Sequence, residues 1–526
     1  MLPRYPFGSE ASNTAEFSAE WMVSNEKQAV QKLSGAVHSS LAFEISPGYC
    51  LEIPLTLTLC DMSLMSPTTL IPRSLGSAFF CVVAALIVAV APSLAAESAQ
   101  EGMKGTGGEE RQKEHSTASP QPQTTGFESL EAFLKRGEYT FIPLPAFSYT
   151  RNESYWIGAV MPILKEDQAG NISTLIHPQY FYNRWVGQTV TGSYLHYPSH
   201  TAHYEIAGAV SEKKAREIAL RYKDLGAGGG RYILGAQFDW LINPFARFFG
   251  FGNLASEQRE TNYTSREALV KFTAGINLTP DVAVLVTERY RDVRVGDAFI
   301  EGVPSTKQQV PSLAGIGGAQ VIGHQLTVFY DTRDHQRTPT KGMYVLVSGE
   351  YNQDLQHDEA NRWWRYTFEA RTLIPHANDR LILVPHVLVD SVIGDRLETT
   401  SVAQAKSERR GIPFFERPML GGENTLRAFG QNRFISNTAI LFNVEERLLV
   451  KELVLFGYSI GLEVAPFIDL GRVQRQSPWH KLNLKNWQVN PGVGFRLLVH
   501  PHIVARADFA YGRDGSNTFI GLDYPF

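Results

Sequence analysis

The chain has 526 residues, a formal net charge of −4 at pH 7 and three cysteines, Cys50, Cys60 and Cys81, all before residue 97. So balanced a charge gives no sign of a polyanion-binding chain, and no nucleic-acid partner is expected. From residue 97 onward the chain is free of cysteine and runs no redox risk in an oxidising compartment.

Residues 1–64 are too long and too mixed to lead a signal, and Met62 and Met65 stand close to the start of one. The stretch is expected to be a mis-called N-terminal extension. Residues 65–96 read as a secretory signal peptide: Arg73 in a polar lead, the apolar run Ala78–Ala91, then Pro92 and a small-residue exit at Ala95 and Ala96. That run of 14 residues falls short of the roughly 20 that a membrane-spanning helix needs. Residues 97–140 are charged and poor in aliphatics, so they are expected to be a disordered periplasmic lead, with Phe127–Gly137 as one short amphipathic helix.

Residues 141–526 carry the fold, with strands beginning near Tyr155. The pattern is strand, turn, strand, with side chains repeating every two residues. Val454, Phe456, Tyr458, Ile460, Leu462 and Val464 share one face, and Leu455, Gly457, Ser459, Gly461, Glu463 and Ala465 the other. Val493, Phe495, Leu497 and Val499 oppose Gly492, Gly494 and Arg496, and Ala505, Ala507, Phe509 and Tyr511 oppose Arg506 and Asp508. At the end, Thr518, Ile520, Leu522, Tyr524 and Phe526 oppose Phe519, Gly521 and Asp523. Apolar outside and small or charged inside is the pattern of an all-β, transmembrane antiparallel β-barrel.

Joints alternate in length. Short ones fall at Thr279–Asp281, Asp334–Gly342, His376–Asp379, Lys451–Glu452 and His500–His502, and long ones at Phe249–Thr264, Asp297–Gly323, Thr399–Arg433 and Gln474–Asn486. Short turns on one side and long loops on the other match a bacterial outer-membrane barrel. A count from Tyr155 gives about seventeen strands, and an even number is the rule, so about 16 are expected.

Chemistry-bearing motifs are sparse. Gly457-Tyr458-Ser459-Ile460-Gly461 fits a nucleophile elbow in letters only, because it lies within strand pattern and no helix follows. The glycines Gly226–Gly230 lack the Lys-Ser/Thr of a phosphate loop and read as a turn. The 14 histidines show no ligand spacing. Neither catalytic residue, metal nor cofactor is expected.

One constellation joins distant segments. Leu420–Phe434 (LGGENTLRAFGQNRF) is a Gly-rich long-loop stretch with Gly421 and Gly422, a cation at Arg427, then Ala428 and Phe429. Some forty residues on comes Phe467-Ile468-Asp469-Leu470-Gly471, and counting by twos from Glu463 turns Phe467 and Asp469 to the lumen. A loop folded inward brings the guanidinium of Arg427 to the carboxylate of Asp469.

These segments resemble the loop-six and F/G-x-D-x-G motifs of the BamA/TamA outer-membrane family, also called the bacterial surface antigen family. FFGFGN (Phe248–Asn253), NYTSR (Asn262–Arg266) and YDTRDHQRTPTKGMY (Tyr330–Tyr344) add to the likeness, as does the ending PGVGFRLLVHPHIVARADFAYG with its terminal Phe. The resemblance implies a sixteen-stranded barrel with loop six folded into the lumen, in which Arg427 and Phe429 form the loop tip, Asp469 the acceptor, and Phe467 and Gly471 shape the contact. It also implies an assembly signal in Leu522, Tyr524 and Phe526, read by the barrel assembly machinery during the protein's own insertion into outer-membrane lipid after export. Ala428 stands where the family has Gly, which strains the tip if that position needs positive φ. The family's periplasmic POTRA domains do not fit between Glu97 and Thr140, so a periplasmic partner supplying that function is expected. The implied activity is protein assembly or translocation at the outer membrane of a Gram-negative cell, with a passive or loop-plugged channel as the alternative.

Overall fold

The computed structural model describes residues 135–167, 172–199, 201–335, 338–356, 361–377, 380–394, 411–455, 458–475, 486–499 and 503–526. The expected extension and signal peptide lie outside these residues, with all of the expected lead up to residue 134. Of the helix expected over Phe127–Gly137 only the last three residues are described, and Lys135–Arg136 is a short strand.

The barrel opens with two strands that proline interrupts. Tyr139–Phe141 and Leu144–Thr150 form β1, and Ser154–Val160 with Ile163–Glu166 forms β2. Their register does not slip across the breaks, since Phe141 faces Ile163 and Leu144 faces Val160. Then follow β3 (Ile172–Asn183), β4 (Gly187–His196), β5 (Ala202–Ser211), β6 (Arg216–Gly226), β7 (Tyr232–Phe248), β8 (Thr261–Asn277) and β9 (Val282–Gly296). The series continues with β10 (Ala319–Asp331), β11 (Gly342–Asp354), β12 (Arg362–His376), β13 (Leu381–Gly394) and β14 (Thr438–Leu455). It ends with β15 (Tyr458–Gln474), β16 (Gln488–Val499), β17 (Ile503–Gly512) and β18 (Gly515–Leu522).

Each strand pairs antiparallel with the next, and β18 returns to β1, giving a closed barrel of 18 strands. The count of about 16 is therefore corrected, and so is the start of the fold. Seventeen strands do run from Ser154 onward; the missing one is β1, which lies ahead of the first strand expected near Tyr155 and begins at the end of the expected lead, because Pro143 and Pro145 break its alternation.

A second correction concerns the joint expected at Lys451–Glu452. Both residues lie within β14 and pair with Leu462 and Gly461, and the chain reverses between Leu455 and Tyr458, so the run from Val454 to Ala465 is two strands. A register shift between Leu449 and Lys451 disguises the alternation there. Gly228, Gly229 and Gly230 all have positive φ in the turn joining β6 to β7, as the glycine run implied.

Outward faces are apolar. Ile157, Val190, Ile206, Leu234, Phe272, Leu326, Val347, Trp364, Phe442, Ile468 and Phe495 are exposed around the whole circumference, which is the lipid-facing pattern of a membrane barrel. Among the described residues no helix is long and apolar enough to cross a membrane, so the strands carry the apolar surface. The long connections 249–260, 297–318, 395–437 and 475–487 all fall on one side, although the first three on that side, 151–153, 184–186 and 212–215, are short. Counted from β1, the 395–437 loop is the seventh on its side, so it corresponds to the family's loop six by motif rather than by number.

Candidate functional site

Strict alternation builds the wall on which the site rests. On β14 the residues Leu441, Asn443, Glu445 and Arg447 are buried toward the bore, while Phe442, Val444 and Leu448 face out. Pro466 causes no bulge. The β15–β16 register runs unbroken from Ile460 opposite Val499 to Gly471 opposite Gln488, so Glu463, Phe467 and Asp469 all face inward. Asp469 lies opposite Asn443 on one side and Asn490 on the other, and Arg496 and Asp508 complete the patch from β16 and β17.

Onto this wall comes the long loop, whose described part, 411–437, is almost wholly buried. Met419–Leu420 pairs with Phe434–Ile435 as a short hairpin, and the chain between them forms the tip. Gly421 and Gly422 have φ of 115° and 107°, and a Cβ on Gly421 would lie 2.4 Å from the Gly430 carbonyl. Only glycine serves there. Ala428 is buried and is not among the positive-φ residues, so its departure from the family's glycine costs no backbone strain. Phe429 packs edge-on against Phe434 with ring centroids 4.8 Å apart.

Arg427 is fully buried and reaches the expected acceptor. Its backbone N–H and Nε donate to Asp469 Oδ2 at 3.1 and 3.0 Å, and Nη2 donates to Oδ1 at 2.7 Å. Asn443 Nδ2 donates to the same Oδ1 at 2.7 Å and to the Thr425 carbonyl at 3.1 Å, so one amide joins acceptor and loop. The guanidinium carbon sits 3.2 Å from the centre of the Phe467 ring. Gly471 leaves the space that Leu426 fills, since a Cβ there would meet the Leu426 side chain at 2.8 Å.

More charge converges than the motifs foretold. Arg427 Nη1 also donates to Glu445 at 2.9 Å and lies 3.7 Å from Asp508. Arg496 bridges Glu445 and Asp508 at 3.3 and 2.8 Å, and Arg447 holds the other Glu445 oxygen at 3.1 Å. Arg506 ties Asp508 to Glu423 of the loop at 2.7 and 3.0 Å. Burial works against the Arg427 charge, but Asp469 and Glu445 outweigh it and hold the group protonated, its pKa above the usual arginine value. Glu445 could have been found by counting two residues on from Asn443; no motif marked it.

A second anchor went unforeseen. Glu416 of the loop accepts from Arg289 at 2.9 Å and from Arg291 at 2.9 Å, both on β9, across the bore from the first. Burial alone would raise its pKa, yet the two guanidiniums outweigh burial and hold it at about 2. Around it Phe248, Tyr263, Val295, Phe414 and Phe415 form an apolar plug. The FFGFGN segment joins in, for Gly252 donates its N–H to the Ile435 carbonyl at 2.8 Å and Asn253 accepts from the Val473 N–H at 3.1 Å.

The expected lipid-facing end of the chain is corrected. Asp523 has φ of 64°, which breaks the alternation after Leu522 and turns the following residues into the bore. Tyr524 donates to Glu463 at 3.1 Å beneath the guanidinium of Arg447, 3.4 Å from its ring centre. Phe526 stacks on His386 at 4.6 Å and lies 5.8 Å from the Arg427 guanidinium. Leu522 alone of the expected signal residues belongs to the strand.

Comparison with known proteins bears on this arrangement. The family model described as the Omp85 superfamily domain matches residues 204–519. Among solved structures, BamA from Haemophilus ducreyi lacking POTRA domains 1-3 is 12% identical, with a TM-score of 0.44 over 75% of this chain and 76% of that one. CdiB from Escherichia coli is 10% identical, with a TM-score of 0.45 over 76% of this chain and 68% of that one. CdiB from Acinetobacter baumannii is 10% identical, with a TM-score of 0.40 over 74% of this chain and 60% of that one. No curated protein matches.

Proposed function

Because the chain belongs to the Omp85 superfamily, whose barrels are outer-membrane proteins, we propose that it assembles or translocates other proteins at that membrane without enzymatic chemistry. The observation that carries this reading is the seam. Between β17 and β18 every residue from Ala505 to Gly512 has a partner, whereas among the described residues β18 and β1 are paired only at Thr518 opposite Tyr149. A barrel that must admit another chain through its wall needs one weak joint, and a passive pore needs none.

The pinned loop favours a second reading, a plugged channel, because it is buried within the bore and ion-paired to its wall. Depletion in cells separates the two. Lower outer-membrane levels of particular barrel proteins support the assembly reading, and unchanged levels, with conductance that rises on loop release, support the channel. A pull-down from the outer membrane tests whether a periplasmic receiving subunit accompanies the protein.

A further inference from the structure

Strands β9 and β10 interrupt the apolar outer wall. The residues of β9 that face outward are Val282, Val284, Val286, Glu288, Tyr290 and Asp292, and opposite them on β10 stand Tyr330, Val328, Leu326, His324, Ile322 and Gln320. Glu288 lies six residues above Val282, the short-turn end of its strand, and His324 lies seven above Asp331. A strand tilted by about 40° climbs roughly 2.5 Å per residue, so both side chains stand about 15–18 Å up an apolar band about 25 Å tall. That is the depth of acyl chains, out of reach of headgroups. At the same depth the neighbouring strands present Phe238 on β7, Phe272 on β8, Val347 on β11 and Phe368 on β12, all exposed.

The titratable pair is only half satisfied. His324 Nδ1 lies 2.6 Å from Glu288 Oε2, and the two side chains remain 50% and 52% exposed. Among the described residues no second hydrogen bond reaches either group, which leaves His324 Nε2 and Glu288 Oε1 unbonded. Hydrocarbon satisfies neither a charge nor a hydrogen bond, so lipid is the wrong neighbour for this face.

Adjacent strands that carry complementary groups at one depth match a copy of themselves. A twofold axis along the membrane normal, passing between β9 and β10, sets each outward residue of one strand against its cross-strand neighbour in the other copy. Glu288 then meets His324 of the second copy, and His324 meets the second copy's Glu288. The four groups close into a ring that uses the free nitrogen of each imidazole and the free oxygen of each carboxylate. The rows beneath become Val286 against Leu326 and Val284 against Val328, and those above become Tyr290 against Ile322 and Asp292 against Gln320. On the flanks, Phe272 lies beside Glu288 on β8, and Tyr351 lies beside His324 on β11 with its ring stacked at 6.5 Å. The same axis brings Phe272 toward Tyr351 of the second copy.

We infer that the outward face of β9 and β10 is a homodimer interface, and that its occupant is a second copy of this chain joined through the Glu288 and His324 ring. In a ring of 18 strands this face lies opposite the joint of β18 with β1, so both copies keep that joint free. The interface therefore holds whether the barrel assembles proteins or is a plugged channel.

The test places a photo-crosslinking residue at position 286 or 326 of the full-length protein in its own outer membrane, with positions 468 and 495 on β15 and β16 as controls. Adducts of twice the chain mass that contain peptides of this chain alone are expected from 286 and 326 at several-fold the control yield. Adducts to a different protein, adducts to lipid only, or a yield no greater than the controls overturn the inference. Copy number is then counted by single-molecule photobleaching of labelled protein in proteoliposomes. Glu288→Leu/His324→Leu removes the ring and leaves a face suited to lipid, so it is expected to lower the dimer fraction about tenfold; an unchanged fraction overturns the inference. Glu288→His/His324→Glu exchanges the groups and preserves the twofold match, so it is expected to dimerise as the unaltered chain does, and a monomeric exchange variant also overturns the inference. These side chains leave the inward wall untouched, and heat-modifiable gel mobility selects the folded fraction in which each count is made.

Discussion

At the scale of single residues two of the charges that hold the loop, Arg427 and Glu416, are of opposite sign, and each makes its own prediction. Asp469 accepts four hydrogen bonds, three from Arg427 and one from Asn443. An amide in its place keeps the shape, turns one acceptor into a donor facing donors, and leaves Arg427 short of one compensating charge. Breaking a buried pair of this kind costs about 3–5 kcal/mol, less where bore water reaches the orphaned group. Asp469→Asn is therefore expected to lower the temperature at which the folded, fast-migrating gel band is lost, and an unchanged transition would count against the pairing. Glu416 behaves differently because its carboxyl titrates. Its pKa is held at about 2, against 4.5 when free, so its share of loop anchoring is complete above pH 4.5 and disappears as pH falls through about 2. Linkage over that interval amounts to about 3 kcal/mol. Arg289 and Arg291 face it, with Glu350 and Glu267 as their other partners. Pepsin digestion between pH 4 and pH 2 is expected to begin cutting the loop only near the lower end. Glu416→Gln should be cut throughout.

Among elements, the fit of loop to wall depends on volume as much as charge. Gly471 and Leu426 occupy one space, so Gly471→Ala is expected to destabilise the seated loop by about 1–3 kcal/mol through overpacking, and Leu426→Ala in the same chain to recover part of that loss. A double-mutant cycle on the heat-modifiable transition measures the coupling, and strict additivity would show that the two side chains do not share the space. The same interval explains what was legible beforehand. Asp469 and Phe467 could be placed because strand parity survives over the whole of β15, and Arg427 because it stands beside an aromatic in a Gly-rich stretch of a long loop. Glu416 could not, since it lies in an apolar run where its partners on β9 are more than a hundred residues away. Strand β1 was hidden by its prolines, Pro143 and Pro145. The inward turn of the tail was hidden because one left-handed Asp523 reverses a pattern that the letters continue unbroken.

For the whole molecule, two segments enter the bore from opposite sides, and both are expected to narrow it. The long loop enters from the side of the long connections, and the tail from Tyr524 to Phe526 from the side of the short turns, where Phe526 meets Leu373, Ile382 and Val384. The two closures meet where Phe526 lies 5.8 Å from Arg427. Constrictions in series limit flow by the narrower one, so removing either leaves the other in control. Planar-bilayer conductance is accordingly expected to rise little in Arg427→Ala or in Phe526→Ala and several-fold in the double variant, beyond the sum of the two. A full rise in Arg427→Ala alone would mean that the tail is no barrier. No rise in the double variant, with the loop shown by protease to be released, would mean that the apolar plug around Phe414 closes the bore unaided.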